Sequence, residues 1–384
     1  MYIFYIFAIV LAIFFDSHLS SLLGLQSHDE MVLLPLLAYF VSTIFMQKIR
    51  YNKIAVSLLL LAFLIILFKW SIGQDFLREV LKLLIIPSLM FICFEHLTTR
   101  QSSTLRIVMI LFFIMFCTIS IAEKVLTYNF FPPSSSDLEF LSSIGYFRSN
   151  SIFWHPLICA FFVAFFMAFV AVAEFKKKYI QIFLFLIGYI SLFCYDGRTA
   201  ILVITFIVLP YFVVKLYKTA GKRRWMIILG VICMVVGLVY LITETSLGVG
   251  RLMSNELMDE SGQSRLDVFK FYKYYKSIDD FLWGHPNLYS YMKHQLGAGG
   301  VENGVITLIL NYGIIFTPIF LILLFILQYK SLSVFSKFDK WLLLFIFWGI
   351  GSTNPNLASS ILWTLWVFTY FAFKPLPQNN SSIE

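Results

Sequence analysis

Four arginines, Arg148, Arg198, Arg251 and Arg265, are set apart from the other cations of the sequence by their surroundings. A guanidinium is planar, permanently charged, and shaped to hold a phosphate or carboxylate through two parallel hydrogen bonds. Arg148 opens the run Arg148-Ser149-Asn150-Ser151-Ile152-Phe153-Trp154-His155-Pro156, which gathers hydroxyl, amide and imidazole groups just ahead of an apolar stretch. Ionisable groups at such a boundary are candidates for function, although Trp and Arg there also serve as plain interfacial anchors. Arg198 lies in Asp196-Gly197-Arg198-Thr199-Ala200. Gly197 allows a tight turn, and Arg198 then projects from the start of the next apolar stretch, where the helix dipole also favours an anion. The plainer alternative is an Asp196–Arg198 pair that closes the turn. Arg265 heads a segment with Lys270, Lys273 and Lys276, for which a solvated helix face is the alternative.

Acid–base chemistry has one conspicuous candidate. Val301-Glu302-Asn303-Gly304 begins an apolar stretch that continues through Thr307 and Asn311-Tyr312-Gly313. A carboxylate at a membrane boundary is partly desolvated, which raises its pKa and suits a general base. An acid at a helix N-terminus is also simply favoured by the dipole. The six histidines, His18, His28, His96, His155, His285 and His294, have no metal-ligand spacing, and neither do Cys93, Cys117, Cys159, Cys194 and Cys233. The cysteines fall in or at the ends of apolar stretches and read as small packing residues. There is no phosphate-binding Walker loop, no Gly-x-Ser-x-Gly elbow and no dinucleotide fingerprint. The expectation is chemistry with no metal and no cofactor, on a substrate that arrives already activated and charged.

The elements that must hold these groups are membrane helices. The chain has 384 residues, of which 60% are hydrophobic and 13% charged. Its mean hydropathy is +0.84. No soluble domain hides that much apolar surface. With about 20 apolar residues needed per span, the sequence predicts about twelve transmembrane helices. They lie near 2–15, 31–47, 54–70, 80–97, 105–122, 156–173, 179–195, 199–215, 225–243, 303–327, 341–352 and 356–373, the first and eleventh being short as drawn. Span 2–15 lacks a basic leader and a small-residue cleavage site, so it reads as retained. Lys48, Arg50, Lys53, Arg100, Arg106, Lys176 to Lys178, Lys215, Lys218, Lys222 to Arg224, Lys330, Lys337 and Lys340 all fall in loops on one side. The positive-inside rule makes that side cytoplasmic, with both termini. The net charge of +8 is mostly these residues and implies no nucleic-acid partner. The four arginines singled out above fall on the opposite face, against the usual bias.

The chain then reads as a single polytopic domain over 1–384 with two long external segments, 123–151 and 244–302. The first begins irregularly, with Pro132-Pro133 and a serine run. The second carries Leu266, Phe269, Tyr272, Tyr275 and Ile278 at helical spacing among lysines, which predicts one basic amphipathic helix over 264–281 along the outer membrane surface. Gly284-His285-Pro286-Asn287 ends it. Pro87 and Pro210 are potential breaks within spans.

Taken in order, "FRSNSIFWHP", "DGRTA", "GQSRLDVFKFYKYYKSIDDFLWGHP" and "ENGVITLILNYGII" resemble the O-antigen polymerase and ligase superfamily of bacterial envelope enzymes. The likeness covers roughly 145–327 and rests on order and topology, since each motif is short. It implies an all-α, GT-C-like polytopic glycosyltransferase of the inner membrane. A periplasmic helical cap and a periplasm-facing site would act on undecaprenyl-pyrophosphate-linked oligosaccharide without a metal. Arg198 and Arg265 would grip the pyrophosphate, with Arg148 assisting, and Asn303, His285 and His294 would complete the substrate site. Family ligases typically carry His before the Asn that opens the corresponding span. Here that residue is Glu302, which favours polymerase over ligase and makes Glu302 the candidate base, with His155 as a second. A chain-length regulator and a flippase are the expected protein partners, beside the lipid bilayer itself. Trp283, Tyr289 and Tyr291 can stack on sugar faces or anchor at the interface.

The reading is therefore a polymerase of lipid-linked repeat units. The nearest rival is the ligase that moves polysaccharide to a lipid A core. The rival from another class is a non-enzymatic transporter of lipid-linked glycans, which would need charged or broken helices near the bilayer midplane.

Overall fold

The computed structural model describes residues 36–38, 40–41, 52–74, 77–131, 147–153, 155–219, 268–275, 277–285, 288, 291–292, 301, 303–352, 355–358 and 360–375. Among them 84% are helical and none is in a strand. A chain this apolar satisfies its backbone groups within helices because lipid offers no partners. Five helices, Lys53–Ser71, Thr99–Leu126, Lys178–Tyr195, Arg198–Lys218 and Gly304–Val334, are long and apolar enough to cross a membrane by length and composition. Leu83–Phe94, Pro156–Val172 and Leu362–Phe373 are apolar but shorter. The expected spans 2–15 and 225–243, and most of 31–47, lie outside the described residues.

Two compact units divide the chain: unit 1 comprises Met1–Ile110, Glu260–Lys340 and Gly351–Glu384, and unit 2 comprises Leu111–Asp259 and Trp341–Ile350. Unit 1 contains α1 (Lys53–Ser71), whose first amides, Ile54 and Ala55, are capped by the Asn52 side chain at 3.1 and 3.4 Å. Helix α2 runs through Leu77–Val80, a π-helical turn at Leu81–Ile85, and Ile86–Phe94. The π-turn has a local cause. Pro87 has no N–H to donate, and its ring crowds the carbonyl four residues back, at Leu83. Helix α3 (Thr99–Leu126) begins in unit 1 and continues into unit 2.

The centre of unit 2 is α4 (Pro156–Val172), apolar all round and buried over Cys159–Val172. Phe113 of α3 stacks on Phe166 with centroids 4.0 Å apart. Helix α5 (Lys178–Tyr195) lies against α4 where Gly188 has no Cβ; one would stand 2.8 Å from the Phe113 ring and 2.9 Å from Met167. Helix α6 repeats the proline pattern: Arg198–Val203, a π-turn at Ile204–Val208, then Leu209–Thr219 with Pro210 at its start. Thus Pro87 and Pro210 do mark irregularities, one turn upstream of each ring.

The remainder of unit 1 differs from expectation in one respect. The predicted amphipathic helix is two pieces, a 3-10 helix at Val268–Tyr274 and α7 (Ile278–Trp283), which is capped by Ser277 Oγ accepting from Asp280 N at 3.0 Å. The buried face is Val268 with Phe271, Tyr274 and Tyr275, packed on Leu288, Met292, Ile306 and Leu310. Phe269, Tyr272 and Ile278 are exposed. A 3-10 helix repeats every three residues rather than 3.6, so the α-helical stripe drawn through 269 and 278 does not survive. Helix α8 (Gly304–Ser331) is kinked at Gly313, whose φ of 76° and ψ of 173° are open only to glycine. Pro318 lies one turn beyond and cannot bond the carbonyl of Ile314. Helix α9 (Lys337–Ser352) follows, with Trp341–Ile350 belonging to unit 2, and then, in unit 1, a 3-10 turn at Pro355–Ala358 and helix α10 (Ser360–Phe373). The eleventh span, short as drawn from 341, therefore begins earlier, at Lys337.

Candidate functional site

The polar groups of unit 2 meet where α3 and α5 end and α4 and α6 begin. Helix α3 runs to Leu126, past the point where an external segment was expected from residue 123, so Glu123 sits in its last turn and is fully buried. The Glu123 carboxylate is the anchor of the Arg148 motif. Its Oε2 accepts from Asn150 N at 3.1 Å, from Ser151 N at 2.9 Å and from the Ser149 hydroxyl. Its Oε1 accepts from Phe130 N at 3.0 Å. An ionised carboxylate needs this many donors to be carried into an apolar interior. Beside it, Lys124 Nζ donates to Phe147 O at 2.7 Å.

The same segment is tied to the Asp196-Gly197-Arg198 turn. Ser149 N donates to Cys194 O at 3.1 Å, and Arg148 Nη2 lies 3.2 Å from Asp196 Oδ2. Cys159 Sγ donates to Asn150 O at 3.0 Å. The ion pair of Asp196 is thus with Arg148, not the local closure considered with Arg198. The turn is also built differently from expectation. Asp196, with φ of 51°, takes the left-handed conformation, while Gly197 has φ of −83°. Gly197 is needed for proximity instead: a Cβ there would stand 2.5 Å from Ala160 Cβ on α4. Arg198 opens α6 and is half-buried. His155 is the N-cap residue of α4; its side chain makes no cap bond and is exposed.

Strain gathers at this corner. Among the described residues the non-glycine positions with positive φ are Thr127, Ser151 and Asp196, at 50°, 44° and 51°. All three flank the Glu123 and Arg148 contacts, and left-handed non-glycine residues persist where surrounding structure fixes them. Among the described residues several fully buried polar atoms here have no well-formed hydrogen bond: both side-chain polar atoms of Asn150, Asp196 Oδ1, and Ser151 Oγ and the Tyr195 hydroxyl, which lie beside each other.

In unit 1, Asn303 serves as the N-cap of α8, its Oδ1 accepting from Val305 N and Ile306 N, both at 3.1 Å. His285 is half-buried and its backbone N donates to Leu310 O at 2.9 Å. This contact belongs to a junction between the Trp283-Gly284-His285 turn and the α8 kink. Lys69 of α1, fully buried, closes the junction: Nζ donates to Trp283 O at 2.5 Å, Gly284 O at 2.7 Å, Asn311 O at 3.4 Å and Gln74 Oε1 at 3.0 Å. Phe68, Trp283 and Phe316 pack together around it. Tyr275, held between Phe271 and Phe281, has its hydroxyl pKa pushed up by burial and by the Asp280 carboxylate.

Of the predicted site residues, Arg148 and the turn bearing Arg198 come together in unit 2, with His155 at the head of α4. Asn303 and His285 belong to unit 1. Arg265, Glu302 and His294 lie outside the described residues, as does Arg251. Glu123 and Lys69 escaped the sequence reading. Their only signal is charge at the end of an apolar stretch, Lys69 by itself and Glu123 beside Lys124, which intramembrane energetics make expensive. Among the described residues no group of His, Cys, Asp and Glu could hold a metal ion. No family model, curated protein or solved structure matches the chain.

Proposed function

We propose that this chain is a membrane glycosyltransferase of the O-antigen polymerase type, acting at the periplasmic face of a bacterial inner membrane. In this reading a lipid-linked glycan is transferred from undecaprenyl pyrophosphate to a hydroxyl of an incoming lipid-linked repeat unit. The acceptor oxygen bonds to the anomeric carbon, the bond to pyrophosphate breaks, and the acceptor proton passes to a base, for which Glu302 is the candidate and His155 the second. Arg198 and Arg265, assisted by Arg148, stabilise the departing pyrophosphate. The full twelve-span count, cytoplasmic termini and a helical cap belong to this proposal.

The observation that carries the reading is the Arg148–Asp196 contact. Two arginine motifs recognised separately in sequence share one buried, strained, polar corner of an otherwise apolar unit. The test is surface polysaccharide from a deletion strain complemented with the wild type, Arg198→Ala or Arg265→Ala. A single repeat on the lipid A core, unrelieved by either variant at normal expression, is the expected result. A bare core with polymer retained on undecaprenyl pyrophosphate would identify the ligase instead.

Transport of a lipid-linked glycan is the second reading, favoured by the π-turns in α2 and α6 and the kink in α8. It predicts that the deletion blocks appearance of repeat units at the periplasmic face rather than their joining.

A further inference from the structure

The corner of unit 2 contains an amide that the pyrophosphate reading leaves without a task. Asn150 stands two residues after Arg148, and its backbone is fully committed: N–H to Glu123 Oε2 at 3.1 Å, carbonyl to Cys159 Sγ at 3.0 Å. Its neighbours on both sides are held by the same Glu123 oxygen. The side chain is 0% exposed, yet neither its oxygen nor its nitrogen has a hydrogen-bond partner among the described residues. Ser151 Oγ and Asp196 Oδ1 are in the same condition, and the Tyr195 hydroxyl lies beside the Ser120 and Ser151 hydroxyls without a well-formed bond. A carboxamide in an apolar helix bundle is a costly residue where an apolar side chain would pack without leaving polar atoms unpaired.

The chemistry of these atoms says what would satisfy them. Asn150 offers two donors and an acceptor, Ser151 and Tyr195 a donor and acceptor each, and Asp196 an acceptor. An anion accepts only, and would face the carboxamide and carboxylate oxygens unpaired. A cation donates only. A ligand whose groups each donate and accept matches the set: water does, and so does a polyol, whose hydroxyls carry the same chemistry on a carbon frame. We propose that Asn150, with Ser151, binds hydroxyls of the sugar joined to the lipid pyrophosphate. This rests on the reading of the corner as a pyrophosphate site, because the donor sugar is covalently next to the phosphates that Arg148 would help hold. The corner is closed to solvent as it stands, so the sugar enters when 147–151 parts from the helix ends. The left-handed Ser151 and Asp196 make that opening easier than at a relaxed corner. Glu123 is the positioning residue that returns the segment to one place.

The experiment uses the full chain purified in detergent, with two probes: undecaprenyl pyrophosphate, and the undecaprenyl-pyrophosphate-linked repeat unit extracted from the deletion strain. Asn150→Ala and Asn150→Leu are each expected to weaken binding of the glycosylated probe about tenfold and to leave the bare lipid pyrophosphate unchanged. Arg198→Ala should weaken both probes. Equal loss of both probes, or loss of neither, overturns the sugar assignment alone. If the wild type binds neither probe, the glycosyltransferase reading falls and takes this inference with it.

Discussion

The Arg148 guanidinium lies 3.2 Å from the Asp196 carboxylate, and both side chains are more than nine-tenths buried. Removing one partner leaves the other buried charge with one partner fewer, which costs up to about 3–5 kcal/mol. Arg148→Ala and Asp196→Asn should each lower thermal stability in detergent by that order. The Asn variant isolates the charge, because Asn tolerates the left-handed backbone of position 196. The double variant should be less destabilised than the sum of the singles by about 2 kcal/mol. Simple additivity in a double-mutant cycle would mean the pair is not coupled.

Glu123 accepts from two backbone amides and a hydroxyl through one oxygen, and from Phe130 N through the other. Glu123→Gln keeps the shape, removes the charge and leaves one side of the group unable to accept. The expected loss is about 3 kcal/mol, with faster hydrogen exchange at Asn150 and Ser151. Unchanged exchange at those two amides would show that another group holds the segment.

What was legible in sequence followed the range over which each signal acts. Apolar runs marked α1, α3, α5 and α8 within a few residues, because a helix in lipid is a local solution to backbone hydrogen bonding. Arg148 and Arg198 stand out in sequence as cations in polar company, but their connection does not. Asp196 and Arg148 are 48 positions apart, and nothing in either motif specifies that the carboxylate reaches the distant arginine. In sequence Glu123 stands at the edge of a loop, because the donors to its Oε2 lie 26 to 28 residues downstream in a segment with no helical period. The stripe through Phe269 and Ile278 failed because tertiary packing of Val268 and Phe271 selected a 3-10 turn over the α-helix that the spacing predicts.

Gly284 and Gly313 are fitted back to back. A Cβ on Gly313 would stand 2.2 Å from Leu282 O, and one on Gly284 2.5 Å from Asn311 O. Both also have positive φ, at 76° and 72°. Alanine at either should cost about 4 kcal/mol or more, since backbone on both sides blocks relief. Gly73 supplies the control: its φ is 74° but nothing lies within 4 Å of a Cβ there, so Gly73→Ala should cost about 1 kcal/mol. Equal effects at all three positions, measured by thermal unfolding, would contradict the close approach.

Lys69 holds three backbone carbonyls from two separate segments, at Trp283, Gly284 and Asn311. Lys69→Met keeps the aliphatic length and removes every donor. The turn then loses its fastening to the α8 kink, and the amides of Gly284 and His285, bonded to Asp280 O at 2.8 Å and Leu310 O at 2.9 Å, should exchange at least about tenfold faster. Exchange confined to its wild-type rate would place the fastening in the aromatic contacts of Phe68, Trp283 and Phe316.

Tyr275 provides the pH dependence. Its hydroxyl is buried without a hydrogen-bond partner among the described residues, and its pKa is raised by burial and by Asp280. A raised phenol binds its proton more tightly in the folded protein than in the unfolded chain. The stability this gives is complete below the unfolded value of about 10 and is lost as pH climbs from there toward the folded value. Tyr275→Phe keeps the rings packed on Phe271 and Phe281 and removes the unpaired oxygen. It should stabilise the protein by about 1 kcal/mol at neutral pH. Its advantage over the wild type should widen above pH of about 10, where the wild-type phenol begins to favour the unfolded chain. Thermal unfolding of both proteins across pH 7 to about 11 checks this. A constant difference over that range would mean that Tyr275 does not titrate differently on folding, and a less stable Phe variant would mean that its hydroxyl is paired.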